Sequence, residues 1–371
     1  MKILIATGIF VPEVGGHSTY VKNLAEGLAK TGGQVTVVCY SDRVSYDFDK
    51  NFPFAVIRIQ RQPGKFNNYW QYGKKLWSEI RNHDLIYLTD TLSVGWLVWL
   101  VTRIYRRPYF LRVSGDVVWE KLLEQTSQKI TLDDFYQKRL YRQKYWLFYL
   151  VKIISRGANK VIFNARQLKN IWIKNYDLPE SRAITIYNPL PSVKSLSFGH
   201  RPEIFYAGRL SAVKNVDFLL KAFSLSKLSH FRLVIVGEGP QLKRLQDLAK
   251  QLGIDSQVEW LAPLEQSQLW QRLEQGRGLV LPSLTDISPN IIGEAVVRKF
   301  PFFVTEYNFL PFAIPSQLLI DPFEVDELAQ KLKWFDDYEK RKELIELVGR
   351  IDWRWSWPGV IQKHWQILSG M

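Results

Sequence analysis

Short apolar bursts separated by helix-length amphipathic stretches run through this chain from start to finish, and that alternation limits its fold more than any other feature. In the first half the bursts read "KILIA", "QVTVVC", "FAVIRI", "LIYLTD", "YFLRVSG" and "KVIFNA". A second series reads "EIFYAG", "RLVIVGEG", "VEWLAP", "GLVLPS" and "FFVTEY". Continuous apolar runs of this length fit strands buried on both faces, as parallel sheets require. Helical patterns fall between them, notably at residues 18–31 and 94–105. The series are separated by "YNPLPSVKSLSFGHRP", whose Pro, Ser and Gly content reads as a linker. The expected class is therefore α/β: two doubly wound, Rossmann-like domains facing across a cleft, with residues 1–190 as the first domain, 191–202 as linker, 203–352 as the second domain and 353–371 as a closing segment. In such sheets ligands gather at the carboxyl ends of the strands, so function is sought in the loops that leave them.

At 371 residues the chain is long for one core, which agrees with two domains. The single cysteine, Cys39, excludes an internal disulfide framework and fits a reducing cytosol. His17, His83, His200, His230 and His364 are scattered, with no Cys/His cluster at zinc spacing, so no structural metal is expected. The opening "MKILIATGIFVPEVGG" reads as a first strand and not as a secretory signal. The longest apolar candidate, "SVGWLVWLVTRIY", is too short to span a bilayer and reads as a buried helix. A cytoplasmic location follows as the expectation.

The net charge of +14, with 14 tryptophans and 17 tyrosines, suits an anionic partner such as a membrane surface, a nucleotide or a nucleic acid. Basic and aromatic residues concentrate in "YQKRLYRQKYWLFYLVKIISR". On a helix, Tyr141, Tyr145, Phe148, Tyr149 and Lys152 fall together and offer a face for peripheral contact with anionic lipid, at the inner side of the cell membrane. Alternatively, Trp146, Leu147, Leu150 and Ile153 face a core. A nucleic-acid binder needs cations and aromatics along one groove, whereas the cations discussed next sit at strand exits; no nucleic-acid partner is expected.

Three strand exits carry chemistry. In "SLTDISPNIIGEAVV", Asp286 and Glu294 stand eight positions apart across a turn rich in Ser, Pro and Asn. Proline disfavours a helix running unbroken from Asp286, so the expectation is a loop followed by a helix that starts at Pro289 or Asn290. Two acids then flank a helix N-terminus, an anion seat, as a polyhydroxyl ligand attached to a phosphate would require. The plain alternative has Asp286 capping the helix and Glu294 at the surface. At "FYAGRLSAVKNVDFLLKAF", Arg209 and Lys214 follow Gly208 within one loop, a pair able to neutralise a diphosphate or else a solvated basic loop. In "VIVGEGP", Gly237 and Gly239 mark a ligand-facing turn or a tight strand-to-helix connection. In the first half, Gly15 and Gly16 precede a helix that Ser18 is placed to cap. The full glycine fingerprint of a dinucleotide site is missing there.

The order of "GGHSTYVKNLAEGLAKTG", "YNPL", "GRLSAVKNVDFLLKAF", "VIVGEGP", "LVLPSLTDISPNIIGEAV" and "WSWPGVIQKHW" resembles the retaining glycosyltransferases of family four, which have the GT-B fold. The resemblance implies a transferase that moves a sugar from a nucleotide-diphosphate sugar to a saccharide or lipid-linked acceptor, in cell-surface polysaccharide or glycoconjugate synthesis, with no metal cofactor. It implies that Glu294 binds the ribose, that Asp286 holds the transferring sugar, and that backbone amides at Ser288, Asn290 and Ile291 lie near the phosphates. Arg209 and Lys214 would stabilise the departing diphosphate, Gly16 and Gly237 would let backbone approach the donor, and Asp116 of "RVSGDVVWE" would orient sugar or acceptor or, on the plain alternative, cap a loop. The family usually has glutamate where this chain has Asp286, a His-Gly where it has Ser114 and Gly115, and a glycine-containing turn where it has "RKFPFFVTEYNFLP". Those departures keep a catalytically inactive scaffold of the same fold as an alternative. The closing helix is expected to cross back to the first domain, with His364 a packing or surface residue.

Overall fold

The computed structural model describes residues 1–126, 128–190, 199, 201–353 and 355–370. Most of the stretch read as a linker, 191–198 and 200, lies outside the described residues. The chain divides into two compact units: Met1–Val118, Arg139–Pro189 and Trp355–Met371 form the first, Trp119–Lys138 and Leu190–Arg354 the second.

The first unit holds β1 (Lys2–Ala6), α1 (Gly16–Lys30), β2 (Gln34–Ser41), β3 (Ala55–Gln60), α2 (Lys65–Glu79), β4 (Leu85–Leu88), α3 (Gly95–Tyr105) and β5 (Tyr109–Val113). Helix α4 (Val117–Thr126) begins there, and α5 (Leu132–Gln137) belongs to the second unit. Then come α6 (Tyr145–Gly157), β6 (Lys160–Phe163), α7 (Arg166–Asn175) and β7 (Ala183–Thr185). The sheet is wholly parallel, in the order β3-β2-β1-β4-β5-β6-β7. Its central strands are buried on both faces, which is why they read as unbroken apolar runs. Because the order reverses at β1, right-handed crossovers put α1 on one face and α2, α3 and α6 on the other. Helix α3 packs between α2 and α6.

The second unit holds β8 (Glu203–Ala207), α8 (Val216–Ser226), β9 (Arg232–Val236), α9 (Leu242–Gln251), β10 (Val258–Leu261), α10 (Gln266–Leu273), β11 (Gly278–Leu281), α11 (Asn290–Arg298), β12 (Phe302–Thr305), β13 (Leu319–Ile320), α12 (Val325–Leu332) and α13 (Tyr338–Gly349). Its parallel sheet runs β10-β9-β8-β11-β12-β13, again with the order reversing at the first strand. All eleven expected strands form. The two that sequence reading missed, β7 and β13, are three- and two-residue edge strands, too short to show as apolar bursts.

One segment departs from the expected division. Residues 119–138 group with the second unit and not with the first half of the chain. The cause is a set of bonds made within that unit: Glu124 accepts from the Ala212 amide at 2.9 Å and from Gln241 Nε2 at 2.7 Å, Leu132 N donates to Thr285 Oγ1 at 2.9 Å, and Lys129 pairs with Asp217 at 2.9 Å. A local cap also differs: Ser18 does not cap α1, since its hydroxyl donates to the Glu13 and Gly15 carbonyls, and Gly15 occupies the cap position.

The last helix, α14 (Trp357–Ser369), carries Pro358 in its first turn and packs on α1 in the first unit. A Cβ on Gly27 would lie 2.2 Å from Ile361 Cδ1, so glycine there is what lets the two helices close. Its histidine is a packing residue: His364 is fully buried, with Nε2 2.9 Å from Tyr87 Oη and 3.3 Å from Tyr20 Oη. Its Nδ1 lies 2.8 Å from the Val360 carbonyl, which can only accept, so Nδ1 carries the proton and Nε2 accepts. Burial, with Arg112 adding to it, lowers the His364 pKa to about 3. An unfolded histidine titrates near 6.5, so the chain loses stability as pH falls from there towards 3, at about 1.4 kcal/mol per pH unit. We expect a loss of about 2 kcal/mol from this group between pH 7 and pH 5. In His364→Gln the acid limb of a urea-midpoint profile should be shallower by that amount; superimposable profiles would contradict the assignment.

Candidate functional site

The carboxyl edge of the second unit's sheet brings three strand exits together. β8 and β11 are neighbours, and the loops leaving them are stitched where Leu284 N donates to the Val213 carbonyl at 2.9 Å. The β8 loop turns through a short 3₁₀ segment, Ala212–Lys214, and Asn215 then adopts the left-handed conformation at φ 53. It is held there by its side-chain amide, which donates to the Pro282 and Pro322 carbonyls at 3.2 and 3.0 Å. That turn aims Lys214 at the β11 exit.

Lys214 Nζ donates to Asp286 Oδ1 at 2.9 Å, and Ser283 Oγ donates to Oδ2 at 2.7 Å. Asp286 is 3% exposed, with its backbone fixed on both sides: its amide donates to Tyr307 O and its carbonyl accepts from Phe309 N, a bridge to the exit of β12. The carboxylate thus joins all three loops. Its partners exclude the capping alternative, since the cap position of α11 is Pro289 and no side chain caps that helix. Between the acid and the helix, Ser288 is held at φ 52, a conformation that costs a non-glycine residue about 1–2 kcal/mol and recurs at ligand sites. Asn290 is the first helical residue, so Ser288, Asn290 and Ile291 do mark a helix N-terminus, where anions are favoured.

Glu294 is buried and not at the surface. Gln266 Nε2 donates to its Oε1 at 2.7 Å, and Trp270 Nε1 donates to its Oε2. Each carboxylate oxygen keeps a second lone pair for another donor. Burial raises its pKa above the ordinary 4.5, against the opposing pull of Trp270, Gln266 and the Arg298 cation. Arg298 itself lies over the Trp270 ring at 4.2 Å and its own pKa is lowered, chiefly by burial. No hydrogen bond or ion pair joins Asp286 to Glu294; they are two separately built acids on one loop-helix segment.

Arg209 is exposed at the exit of β8 and has no ion-pair partner among the described residues. The glycines of "VGEGP" have a reason that lies in the chain itself. A Cβ on Gly237 would sit 2.0 Å from the Gly208 carbonyl oxygen, and one on Gly239 2.2 Å from that of Leu210. Leu210 N donates to Glu238 O at 2.8 Å, and Gln241 N to Leu210 O at 3.0 Å. The turn therefore clamps the loop that carries Arg209, and the tight-connection reading of Gly237 describes what it touches.

Two expected residues lie in the first unit. Gly16 is exposed and opens α1. Asp116 is fully buried; its Oδ1 accepts from Val118 N at 3.1 Å, and Tyr176 Oη lies 3.5 Å from Oδ2, so the side chain braces the start of α4. At the carboxyl edge of the same sheet, His17 Nε2 lies 3.3 Å from Thr7 Oγ1 and 3.1 Å from Thr89 Oγ1, its pKa lowered mainly by burial. No local pattern marks that cluster, because its members come from the ends of β1 and β4 and the start of α1. Gln266 and Trp270 were missed for a like reason: they sit on α10, more than 20 residues before the acid they hold. Among the described residues, no group of three or more His, Cys, Asp or Glu is arranged to hold a metal ion.

Residues 192–347 match the family model described as "Glycosyl transferases group 1", and residues 14–192 that of "Glycosyltransferase Family 4". An uncharacterised glycosyltransferase of Methanocaldococcus jannaschii is 23% identical, the alignment covering 98% of this chain and 96% of that one. Among solved structures, HepE of Anabaena in complex with UDP and glucose superposes with a TM-score of 0.77 at 17% identity, covering 100% of both chains. Sucrose-phosphate synthase of Thermosynechococcus elongatus gives 0.76 at 18% identity, covering 100% of this chain and 98% of that one.

The ion pair has a direct test. Lys214→Met leaves the Asp286 carboxylate buried with only Ser283 beside it, and is expected to destabilise the second unit by about 3 kcal/mol in chemical unfolding. Lys214→Met with Asp286→Asn removes the stranded charge and should recover most of that loss. Equal stability of the single variant and the parent would show that the pair does not hold these loops.

Proposed function

We propose, for a chain that belongs to the GT-B glycosyltransferases, that it transfers a sugar with retention from a nucleotide-diphosphate donor to a saccharide or lipid-linked acceptor. The observation that carries this reading is the Lys214–Asp286–Ser283 cluster, with Arg209 on the same loop as Lys214, the N-terminus of α11 following Asp286, and buried Glu294 further along that helix. A neighbouring fold that holds UDP and glucose supports a UDP-sugar as the first donor to try.

In this reading Glu294 accepts hydrogen bonds from the ribose hydroxyls through the lone pairs that Gln266 and Trp270 leave open. Asp286 accepts from hydroxyls of the transferring sugar. The diphosphate lies against the start of α11, and Arg209 and Lys214 supply cations where negative charge develops, help that costs no reorganisation during reaction. The bond from the anomeric carbon to the diphosphate oxygen breaks, and its electron pair leaves with the nucleotide. An acceptor hydroxyl attacks from the same face and passes its proton to the departing phosphate oxygen. The two cations do the work that a metal ion would otherwise do, so turnover without added metal is expected. The setting is synthesis of cell-surface polysaccharide or glycoconjugate, with the enzyme at the inner face of the membrane.

Thermal stabilisation by UDP, GDP and ADP and their sugar conjugates, with and without magnesium, tests the donor assignment. One nucleotide should raise the midpoint without metal, and Glu294→Gln should abolish the shift. Affinity of the parent should weaken as pH falls through the raised Glu294 pKa, because protonation removes an acceptor; the loss should therefore set in above pH 4.5. Arg209→Ala should lower kcat by about 10²-fold with little change in KM. No shift with any nucleotide would favour the inactive-scaffold reading.

A further inference from the structure

Three helices on one face of the first unit's sheet carry large apolar side chains that stand exposed among the described residues. Helix α3 lies between the others, joined to α2 by the Tyr69–Trp96 ring contact at 5.6 Å and to α6 where Trp99 fills the space above Gly157. Phe66, Trp70 and Trp77 recur along one side of α2, four and then seven residues apart. Phe66 is 83% and Trp70 67% exposed, and Trp146 on α6 is 82% exposed, with Tyr145 and Tyr149 beside it. Leu100 and Ile104 continue the surface across α3.

The side of α6 that faces out differs from the stripe read from sequence. Phe148 is buried with Val151 and Ile154, Tyr141 is half-buried against Phe148 with ring centroids 4.4 Å apart, and Lys152 is engaged with Asp177. Trp146, placed in a core by the alternative reading, stands in solvent. The helix is apolar on most of its circumference, so its sequence did not single out the inward side.

Charge follows the aromatics. Residues 66–81 carry Lys74, Lys75 and Arg81 against Glu79 alone, residues 95–107 carry Arg103, Arg106 and Arg107, and residues 139–157 carry five Lys/Arg; the last two stretches contain no acid. Glu79 is neutralised by Lys75 at 3.0 Å. Most of the +14 net charge of the chain therefore lies in these three stretches.

We propose that this face docks flat on an anionic phospholipid bilayer, with Phe66, Trp70, Tyr145 and Trp146 entering the headgroup boundary and the surrounding Lys and Arg engaging lipid phosphates. Tryptophan and tyrosine favour that boundary, where one end of the ring is apolar and the other wet, and basic residues gain from the negative surface potential. Exposed large apolar side chains gathered on adjacent helices and rimmed by polar residues mark interaction sites. A second copy of the chain is a poor occupant, since two such faces repel. Nucleic acid is a poor one too, because the rings stand outward on helices and line no groove. The inference deepens the reading of a lipid-linked acceptor given above, and its test needs no donor.

The full chain is floated with vesicles of phosphatidylcholine alone and with about 30% phosphatidylglycerol, at two salt concentrations. Binding is expected only to the anionic vesicles and weaker at high salt. Trp70→Ala with Trp146→Ala should reduce the bound fraction about tenfold. Lys74→Glu with Arg142→Glu should reduce it by a similar factor while leaving UDP-induced stabilisation intact. Failure to bind anionic vesicles, equal binding by the double-tryptophan variant, or a dimer that this variant dissolves would overturn the proposal. Loss of vesicle binding with intact nucleotide stabilisation strikes this inference alone; the reverse result strikes only the donor assignment.

Discussion

The ion pair between half-buried Lys214 and buried Asp286 is the constraint on which the second unit's site depends. One carboxylate is reached by the lysine from the loop after β8, by Ser283 from the loop after β11, and through its own backbone by the segment after β12. Strands fix where loops begin, but nothing in a sheet fixes where they end. Here the ending is set by charge. A carboxylate out of water is tolerated only with its partners in place, so burial of Asp286 selects the loop arrangement that delivers Lys214 to it. The glycines of the β9 exit serve the same end, because only residues without a Cβ let that turn lie on the loop that carries Arg209.

Glu294 follows another logic. It is held by neutral donors, an amide and an indole, with Arg298 acting through space from over the same indole. Burial raises its pKa, and neutral hydrogen bonds, which stabilise a carboxylate less than a contacting cation does, oppose that rise without cancelling it. The two acids thus have unlike electrostatic settings, one paired with a contacting cation and the other held by neutral donors. In the first unit, His364 shows a third solution: a titratable group kept neutral chiefly by full burial, with the Arg112 cation adding to it.

What the sequence made legible, and what it hid, follows from the range of the interactions involved. Strands such as Leu85–Leu88 and Gly278–Leu281 were readable because burial on both faces demands a continuous apolar run. The helix start at Asn290 was readable because Pro289 permits few conformations. The allegiance of residues 119–138 was not, since it rests on Glu124, Leu132 and Lys129 meeting residues some 85 to 155 positions away. The outward side of α6 was legible only in part, Tyr145 and Tyr149 standing exposed while Phe148 is buried and Trp146 faces out, because a helix apolar nearly all round has no inside that its sequence marks. The Lys214 and Asp286 partnership lay between: each was singled out by its strand exit, while the bond itself came from the adjacency of β8 and β11.

We propose that the second unit's carboxyl edge, organised around Lys214 and Asp286, is the seat of a nucleotide-diphosphate sugar. Hydrogen exchange of the full chain with UDP-glucose present and absent measures this most directly, amide by amide. Slowed exchange is expected at residues 209–215 and 286–294, with little change at the edge strands β10 and β13. Saturating nucleotide sugar that leaves both segments unchanged while protecting amides elsewhere would contradict it.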